Sequence, residues 1–468
     1  MCGKKVAFLV VYRFPEEYLT FWASENKVEV RGKGKILLNQ RNEQQMKTLQ
    51  EAFAPGRVIS IAVAGLGPRG CDHCRTLSSM PDVKIVAVCD HFGNRAEAAA
   101  DKIEKNAGYR PKTYLDFDEM LRDGGFEAVA IATSWETHMR LSKKALLSGY
   151  PVAMEIGAGQ SLLECQDLVR VSEETGLPVM PLENCCYNDM EMAVLHMVKK
   201  GIFGHVLHCE GSYEHDLRDE IGRGDIIHHY RQPHFLHRNA ELYPTHEMGP
   251  IAKYLGINRG NRILTVSSIA TKAMGQHEWF KRNRTDSPDL MQAGIRQGDV
   301  VTSMLTCANG ETISLLHKCT LPCPYSRGGR IDGTKGCWLE DGRLIFVEGR
   351  TKNPTDSWMH PYESFDPYMS EYRHPLWAAY EAAKDKLTAG AHGGMDYLVD
   401  RAWINSLQKN IPPPLDVYDA VTWMSITVLS EQSISMGGMP QAMPDYTNGS
   451  WLTRGPAAGA FTLDVIPE

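Results

Sequence analysis

At 468 residues the chain is longer than one compact core readily sustains, since single cores seldom grow past roughly 250 to 300 residues, so more than one domain is expected. A composition of 43% hydrophobic and 23% charged residues, with only short apolar runs, excludes a disordered chain and a helical membrane span. The net charge of -7 comes with no basic stripe, which argues against nucleic acid and leaves a small neutral or mildly polar ligand as the expected partner.

The N-terminus reads Met1-Cys2-Gly3-Lys4-Lys5 and then an apolar run of only seven residues, Val6 to Tyr12, with no small-residue cleavage site. That is a poor signal peptide. Residues 13 to 57 are charged and lack clear periodicity, so 1–57 reads as an extension that wraps the first domain or forms an arm. The twelve cysteines are scattered, some inside strand-like runs such as Cys89 and Cys209, so a reduced, cytoplasmic protein is expected.

From Val58 the pattern turns regular. The strand Ile59 to Ala64 runs into Gly65-Leu66-Gly67-Pro68-Arg69-Gly70 and then into a helix. A strand over Lys84 to Asp90, an alanine-rich helix over Asn94 to Lys105, a strand over Phe126 to Ala132, a helix near Thr137 to Ser148 and a strand over Pro151 to Glu155 follow. The unit Leu162 to Thr175 and Pro178 to Pro181 completes an α/β Rossmann domain with a doubly wound parallel sheet, over 58–183.

After a helix at about Asp189 to Lys200 the chain changes character. Strand-like runs at Val206 to His215, Ile263 to Lys272, Val300 to Ala308 and Thr312 to Lys318 predict an α+β domain, 184–468, with a large, mainly antiparallel sheet. Asn309-Gly310 joins the last two as a hairpin, because both residues tolerate positive φ. Helices at about Tyr397 to Lys409 and Val417 to Met436 are expected to pack back on the first domain. The open sheet face predicts a homodimer or tetramer.

The glycine loop sits between a strand and a helix, where backbone N–H groups and the positive helix end meet a pyrophosphate. Asp90, twenty residues after Gly70, is placed to bond a ribose 2′-hydroxyl and to repel a 2′-phosphate, so NAD is preferred over NADP. Thr133 to His138 follows a strand on the sheet's carboxyl edge, so Trp135 and His138 are candidates for the nicotinamide side, against plain packing and capping roles. The densest polar cluster runs from Tyr230 to Pro250 and holds His234, His237 and His246, with Tyr243 and His246 at a helix start. Tyrosine and histidine there suit proton exchange with a sugar hydroxyl while a nicotinamide takes the hydride. A metal site is disfavoured, since no His-x-x-x-His with a partnering acid occurs. Cys71-Asp72-His73-Cys74, Cys185-Cys186 and the pair Cys319 and Cys323 lack the spacing of a complete site and read as structural.

With these residues in hand the chain from about Val58 to Leu452 resembles the Gfo/Idh/MocA oxidoreductases and, within them, glycoside hydrolase family 109. The resemblance is carried by Arg69-Gly70, Trp135 to His138, Asn184 to Tyr187, Tyr213 to Arg218, Asn239 to His246 and Gly393 to Asp396. Beside the loop glycines Gly65, Gly67 and Gly70, it implies NAD contacts from Pro68, Arg69, Asp90, Trp135, Glu136, His138, Glu155 and Asn184, and sugar contacts from Tyr213, Arg231, Tyr243, His246 and Tyr325. The superfamily's dehydrogenases carry Glu-Lys-Pro where this chain reads Glu155-Ile156-Gly157, so the catalytic lysine is absent and proton transfer moves to Tyr187, Tyr243 and His246.

The reaction implied is hydrolysis by temporary oxidation at sugar C3, removal of the C2 proton by Tyr187, elimination of the aglycone, addition of water and re-reduction. The substrates expected are N-acetylgalactosaminides or related glycosides. Ala240 and Glu247 stand where family members often carry glycine, which leaves room for another sugar. The acidic Glu247 either contacts substrate or caps the helix that follows it. The alternative function is a sugar or cyclitol dehydrogenase with net hydride transfer, and a non-catalytic NAD-binding member is the third reading.

Overall fold

The computed structural model describes residues 9–14, 17–24, 27–30, 49–292, 294–352, 362–384 and 392–466. In the N-terminal extension, where the sequence shows no period, β1 (Leu9–Phe14), β2 (Glu17–Ser24) and β3 (Lys27–Val30) form an antiparallel sheet of their own. Its last residues dock: Leu49, Ala52 and Phe53 are buried, and the Phe53 ring meets Tyr380, Tyr397 and Phe461.

The second sheet is the expected parallel one. In chain order its elements are β4 (Ile59–Ala64), α1 (Pro68–Ser78), β5 (Val83–Cys89), α2 (Gly93–Ala107), β6 (Lys112–Tyr114), α3 (Phe117–Asp123), β7 (Ala128–Ile131), α4 (Trp135–Leu147), β8 (Val152–Met154), α5 (Leu162–Thr175) and β9 (Val179–Pro181). The strands lie in the order β6-β5-β4-β7-β8-β9. Strands covered by helices on both faces can be apolar throughout, and Ala128–Ile131 is buried at every position. The strand order reverses between β4 and β7, so the carboxyl ends of these strands open a crevice.

The third sheet has nine strands: β10 (Val206–Glu214), β11 (Ile263–Ala270), β12 (Val301–Cys307), β13 (Thr312–Lys318), β14 (Arg330–Gly333), β15 (Gly336–Leu339), β16 (Leu344–Val347), β17 (Glu363–Ser364) and β18 (Gln441–Ala442). They lie in the order β17-β16-β15-β14-β10-β13-β12-β11-β18. Every pairing is antiparallel except β10 with β13. The hairpin at Asn309-Gly310 forms between β12 and β13, yet only Gly310, at φ 99°, uses positive φ.

Five further helices frame the site: α6 (Asp189–Lys199), α7 (Arg231–His237), α8 (Thr245–Leu255), α9 (Met395–Lys409) and α10 (Val417–Ser435). Asp416 starts α10 with a capping box to Asp419, satisfying donors that a helix start otherwise leaves open. The last two helices pack on the parallel-sheet layer, α9 against α1 and α10 against α5 and β9. No helix among the described residues is long and apolar enough to cross a membrane.

A buried ion pair fixes α9 to the parallel sheet. Arg401, 2% exposed, donates twice to Asp82 at 2.8 Å and once each to the carbonyls of Ala52 and Ala54 at 3.2 Å. Removing one partner of such a pair strands the other's charge in the interior. Asp82→Ala is therefore expected to destabilise the protein by about 3–5 kcal/mol, read from urea unfolding. A loss below about 1 kcal/mol would mean the pair is not what holds α9 in place.

Candidate active site

The crevice begins at the loop between β4 and α1. Gly65 takes φ 87°, and a Cβ there would lie 2.4 Å from the Ala132 backbone. A Cβ at Gly70 would lie 1.8 Å from the Gly65 carbonyl oxygen, so the close approach of loop and helix demands glycine at both ends. A Cβ at Gly67 would enter open space, with no described atom within 4 Å. Gly67 is also the N-cap of α1, and no side chain caps it. Uncapped N–H groups beside open space are what a pyrophosphate requires. At the end of β5, the Asp90 carboxylate accepts from the Leu66 N–H at 2.7 Å and the Phe92 N–H at 2.8 Å, which fixes it against the loop for a ribose. The residues present fit NAD.

Behind the loop lies an ionic knot. Arg69, on the first turn of α1, donates to Glu155 through Nε at 3.1 Å and Nη2 at 2.9 Å, and to Asp396 through Nη1 at 3.0 Å. Asn184 donates to the same Asp396 at 2.7 Å. His73, fully enclosed, bridges Glu155 at 2.7 Å and Asp400 at 2.9 Å. Burial works against charge on both groups, but Arg69 and His73 hold the Glu155 carboxyl far below its usual range, and Asp400 and Glu155 push the His73 imidazole up to about 10. The Oδ1 of Asn184 has no partner among the described residues and remains available to a ligand.

Trp135 opens α4 and is 3% exposed. A Cβ at Gly157 would lie 2.1 Å from its Cδ1. The indole thus occupies the space that proline of a Glu-Lys-Pro segment would fill, and Ile156, where the lysine would stand, is buried. Glu136 is half exposed, accepts from the Ser134 hydroxyl at 2.7 Å and sits 3.3 Å from His234. His138 lies beneath the surface and donates from Nε2 to the Thr133 carbonyl at 2.9 Å, so it braces the loop that carries Trp135.

Across the crevice the second domain supplies an aromatic basin. Trp135 stacks on Tyr243 with centroids 5.6 Å apart, Tyr243 meets Tyr213 at 4.7 Å and His246 at 4.9 Å, and Tyr325 flanks Tyr213 at 6.4 Å. Arg231 is buried, its guanidinium 4.7 Å from the Tyr243 ring centroid, with Nε 3.2 Å from Glu220 and Nη1 without a partner among the described residues. An unpaired buried donor beside aromatic rings suits a sugar oxygen. His246 lies 2.7 Å through Nδ1 from Glu183, which is completely buried. Burial lowers the imidazole pKa, but Cys185 and Glu183 outweigh it and push it up to about 10.

One expectation needs correction and two others are narrowed. Tyr187 is 0% exposed and donates its hydroxyl to the Phe461 carbonyl at 3.0 Å, so it is a core residue and has no route to a sugar. Glu247 is 3% exposed and faces the sheet beside Gly211, where burial and Glu241 raise its carboxyl well above the usual range, so it is not a free acid in the basin. Cys185, which spacing reads as structural, is buried, and a ligand atom from each of Glu183, Cys185 and His246 lies within 4.8 Å of the others. The sequence reading also passed over His215, whose Nδ1 lies 3.2 Å from the Tyr213 hydroxyl and whose ring lies 5.2 Å from Tyr325. The Tyr213 to Arg218 segment carries the resemblance, and the period of two along the strand ending at His215 places Tyr213 and His215 on one face, so that signal points to His215.

Residues 59–182 match the NAD-binding Rossmann fold of the oxidoreductase family, and residues 187–453 match the C-terminal domain of glycosyl hydrolase 109. The chain belongs to glycosyl hydrolase family 109. A family 109 protein of Stenotrophomonas maltophilia is 40% identical over 86% of this chain and 92% of its own. An alpha-N-acetylgalactosaminidase of Tannerella forsythia is 36% identical over 90% of this chain and 93% of its own. Among solved structures, a scyllo-inositol dehydrogenase of Lactobacillus casei with bound NAD(H) and scyllo-inositol shares the fold at a TM-score of 0.56 and 15% identity, over 83% of this chain and 99% of that one. The protein is an NAD-dependent glycosidase of the Gfo/Idh/MocA superfamily.

Two predictions follow from this geometry. Gly157→Ala displaces the Trp135 indole, and a shift of about 1 Å at a positioning residue costs about 100-fold in rate, so kcat/KM is expected to fall by that order while the fold persists. An unchanged kcat/KM would detach Trp135 from the site. His73 is protonated in the fold up to about pH 10, against about 6.5 when unfolded, so its stabilisation is complete below 6.5 and disappears as pH rises through 10. Tm is expected to fall over that alkaline window, and to fall less steeply in His73→Asn; equal slopes would remove His73 from the knot's energetics.

Proposed function

We propose that this family 109 enzyme hydrolyses N-acetylgalactosaminides or closely related glycosides by transient oxidation at C3 of the sugar, with Tyr213, Arg231, Tyr243, His246 and Tyr325 holding the ring. The observation that carries this reading is the Glu183 and His246 pair facing an aromatic basin, in a chain with Ile156 where a dehydrogenase keeps its lysine. NAD, when bound, accepts electrons from C3 and returns them at the end, so no net oxidation occurs. Gly65, Gly67, Pro68, Arg69, Gly70, Asp90, Trp135, Glu136, Glu155 and Asn184 form its cradle, with His138 bracing the Trp135 loop.

His246 in its neutral form, the minority below about pH 10, takes the C3 hydroxyl proton, which Tyr243 relays. Glu183 accepts the Nδ1 proton of His246, which fixes the tautomer and leaves Nε2 as the ring atom for the sugar. A ketone at C3 acidifies the C2 hydrogen, and with Tyr187 in the core the base assigned to it is His215. Burial and Arg231 hold the His215 pKa below the usual imidazole value, so the ring is neutral and basic at neutral pH. Tyr213, bonded to its Nδ1, orients it. Loss of the aglycone then needs no pair of opposed carboxylates, which supports cleavage of both α and β linkages.

Ile269 and Met304 on the outer face of the nine-stranded sheet are 64% and 43% exposed, which supports a second copy covering that face. The buried free thiols, such as Cys74 and Cys165, support a reducing, cytoplasmic setting.

A panel of nitrophenyl α- and β-glycosides, followed for phenolate and for nicotinamide absorbance without added cofactor, tests the reading. Phenolate release without lasting NADH, strongest with N-acetylgalactosaminides, is the expected result, and His215→Asn is expected to slow it about 100- to 10,000-fold. NADH growing with added NAD and no phenolate would make the enzyme a net dehydrogenase instead.

A further inference from the structure

The turn after β9 presents two ligand-type side chains that the proposed chemistry uses only in part. Glu183 caps the 3-10 turn Asn184–Tyr187, its Oε1 accepting the Cys185 N–H at 3.0 Å and facing His246 Nδ1 at 2.7 Å. Its Oε2 is buried and has no partner among the described residues, although the side chain is 0% exposed. Cys185 is a buried free thiol. A ligand atom from each of Glu183, Cys185 and His246 lies within 4.8 Å of the others.

We propose that Glu183, Cys185 and His246 form a binding site for one soft divalent cation of the zinc class, which switches the enzyme off by taking His246 out of proton transfer. The proposal rests on His246 being a proton carrier. Sulfur, imidazole nitrogen and carboxylate oxygen together match zinc, whereas magnesium and calcium prefer oxygen alone. Three protein ligands leave a fourth position open for water. Binding forms three metal–ligand bonds and releases to solvent the Cys185 thiol proton and the proton held between Glu183 and His246. Thiolate and carboxylate then cancel the cation's charge. The neighbouring cation, Arg327, is itself paired at 3.3 Å with Glu191 and 3.4 Å with Glu340, so it does not oppose a second positive charge unscreened. The cation enters from the basin, where His246 is 16% exposed and Tyr325 55%.

The NAD-loaded enzyme titrated with cobalt(II) is expected to bind one equivalent and to show a thiolate-to-metal charge-transfer absorption. Zinc is expected to displace the cobalt and abolish phenolate release, and EDTA to restore it. Cys185→Ser and Cys185→Ala are expected to keep phenolate release, to lose the band, and to weaken zinc by at least the roughly 10- to 100-fold that losing even an outer partner costs. Cys186→Ser is expected to keep band and inhibition. No band, a band or inhibition retained in both Cys185 variants, or full activity with one zinc bound would each overturn the proposal. Metal-free enzyme that released no phenolate would count against the glycosidase reading, while the cobalt band would still report on the site.

Discussion

The contact between Arg69 and Glu155 is the constraint on which the site depends. Arg69 belongs to the helix that follows the glycine loop and Glu155 to the end of β8, so their pairing sets the width of the crevice floor. Through Asp396 the same guanidinium reaches α9, and through Asp396 again the network reaches Asn184. Set against an apolar replacement of the same volume, such a knot of buried charges is often close to neutral once desolvation is counted. Their effect is on specificity of arrangement: an unpaired member would be costly, so loop, strand end and C-terminal helix have one low-energy placement.

A second constraint separates this chain from dehydrogenases that share its fold. The Trp135 indole and a side chain at position 157 cannot occupy the same space, so tryptophan before the helix and glycine after the strand form one unit. With Ile156 beside them, the first domain offers a flat apolar wall where a lysine would hold a proton. Acid and base must then come from across the crevice, and the tyrosines and histidines of the nine-stranded sheet and α8 are what faces it.

Much of this was readable in the residues. A strand, a glycine loop and a helix in immediate succession, with Asp90 at the next strand's end, leave few folds, because the glycines and the carboxylate have positions only the parallel sheet supplies. The hairpin at Gly310 was equally local. Contacts across the chain were not readable. Tyr187 lies in a recognisable segment, but whether its hydroxyl meets a sugar or the Phe461 carbonyl depends on packing 274 residues away. Glu183 and His246 are 63 residues apart, so spacing rules for metal or catalytic sites could not join them to Cys185. His215 shares a strand face with Tyr213 by the period of two, which is legible, but its contact with the distant Tyr325 is not. The short strands β14 to β17 were missed because each is four residues or fewer, too short to show alternation.

The central claim is that the glycosidic bond breaks by elimination after the C2 hydrogen has left. Hydrolysis run in deuterium oxide, with the released sugar analysed at C2 by NMR, tests it most directly. Deuterium at C2 in every turnover is the result expected, since the proton that leaves is replaced from solvent. Full retention of the original hydrogen at C2 would contradict the mechanism and return the enzyme to direct displacement at the anomeric carbon.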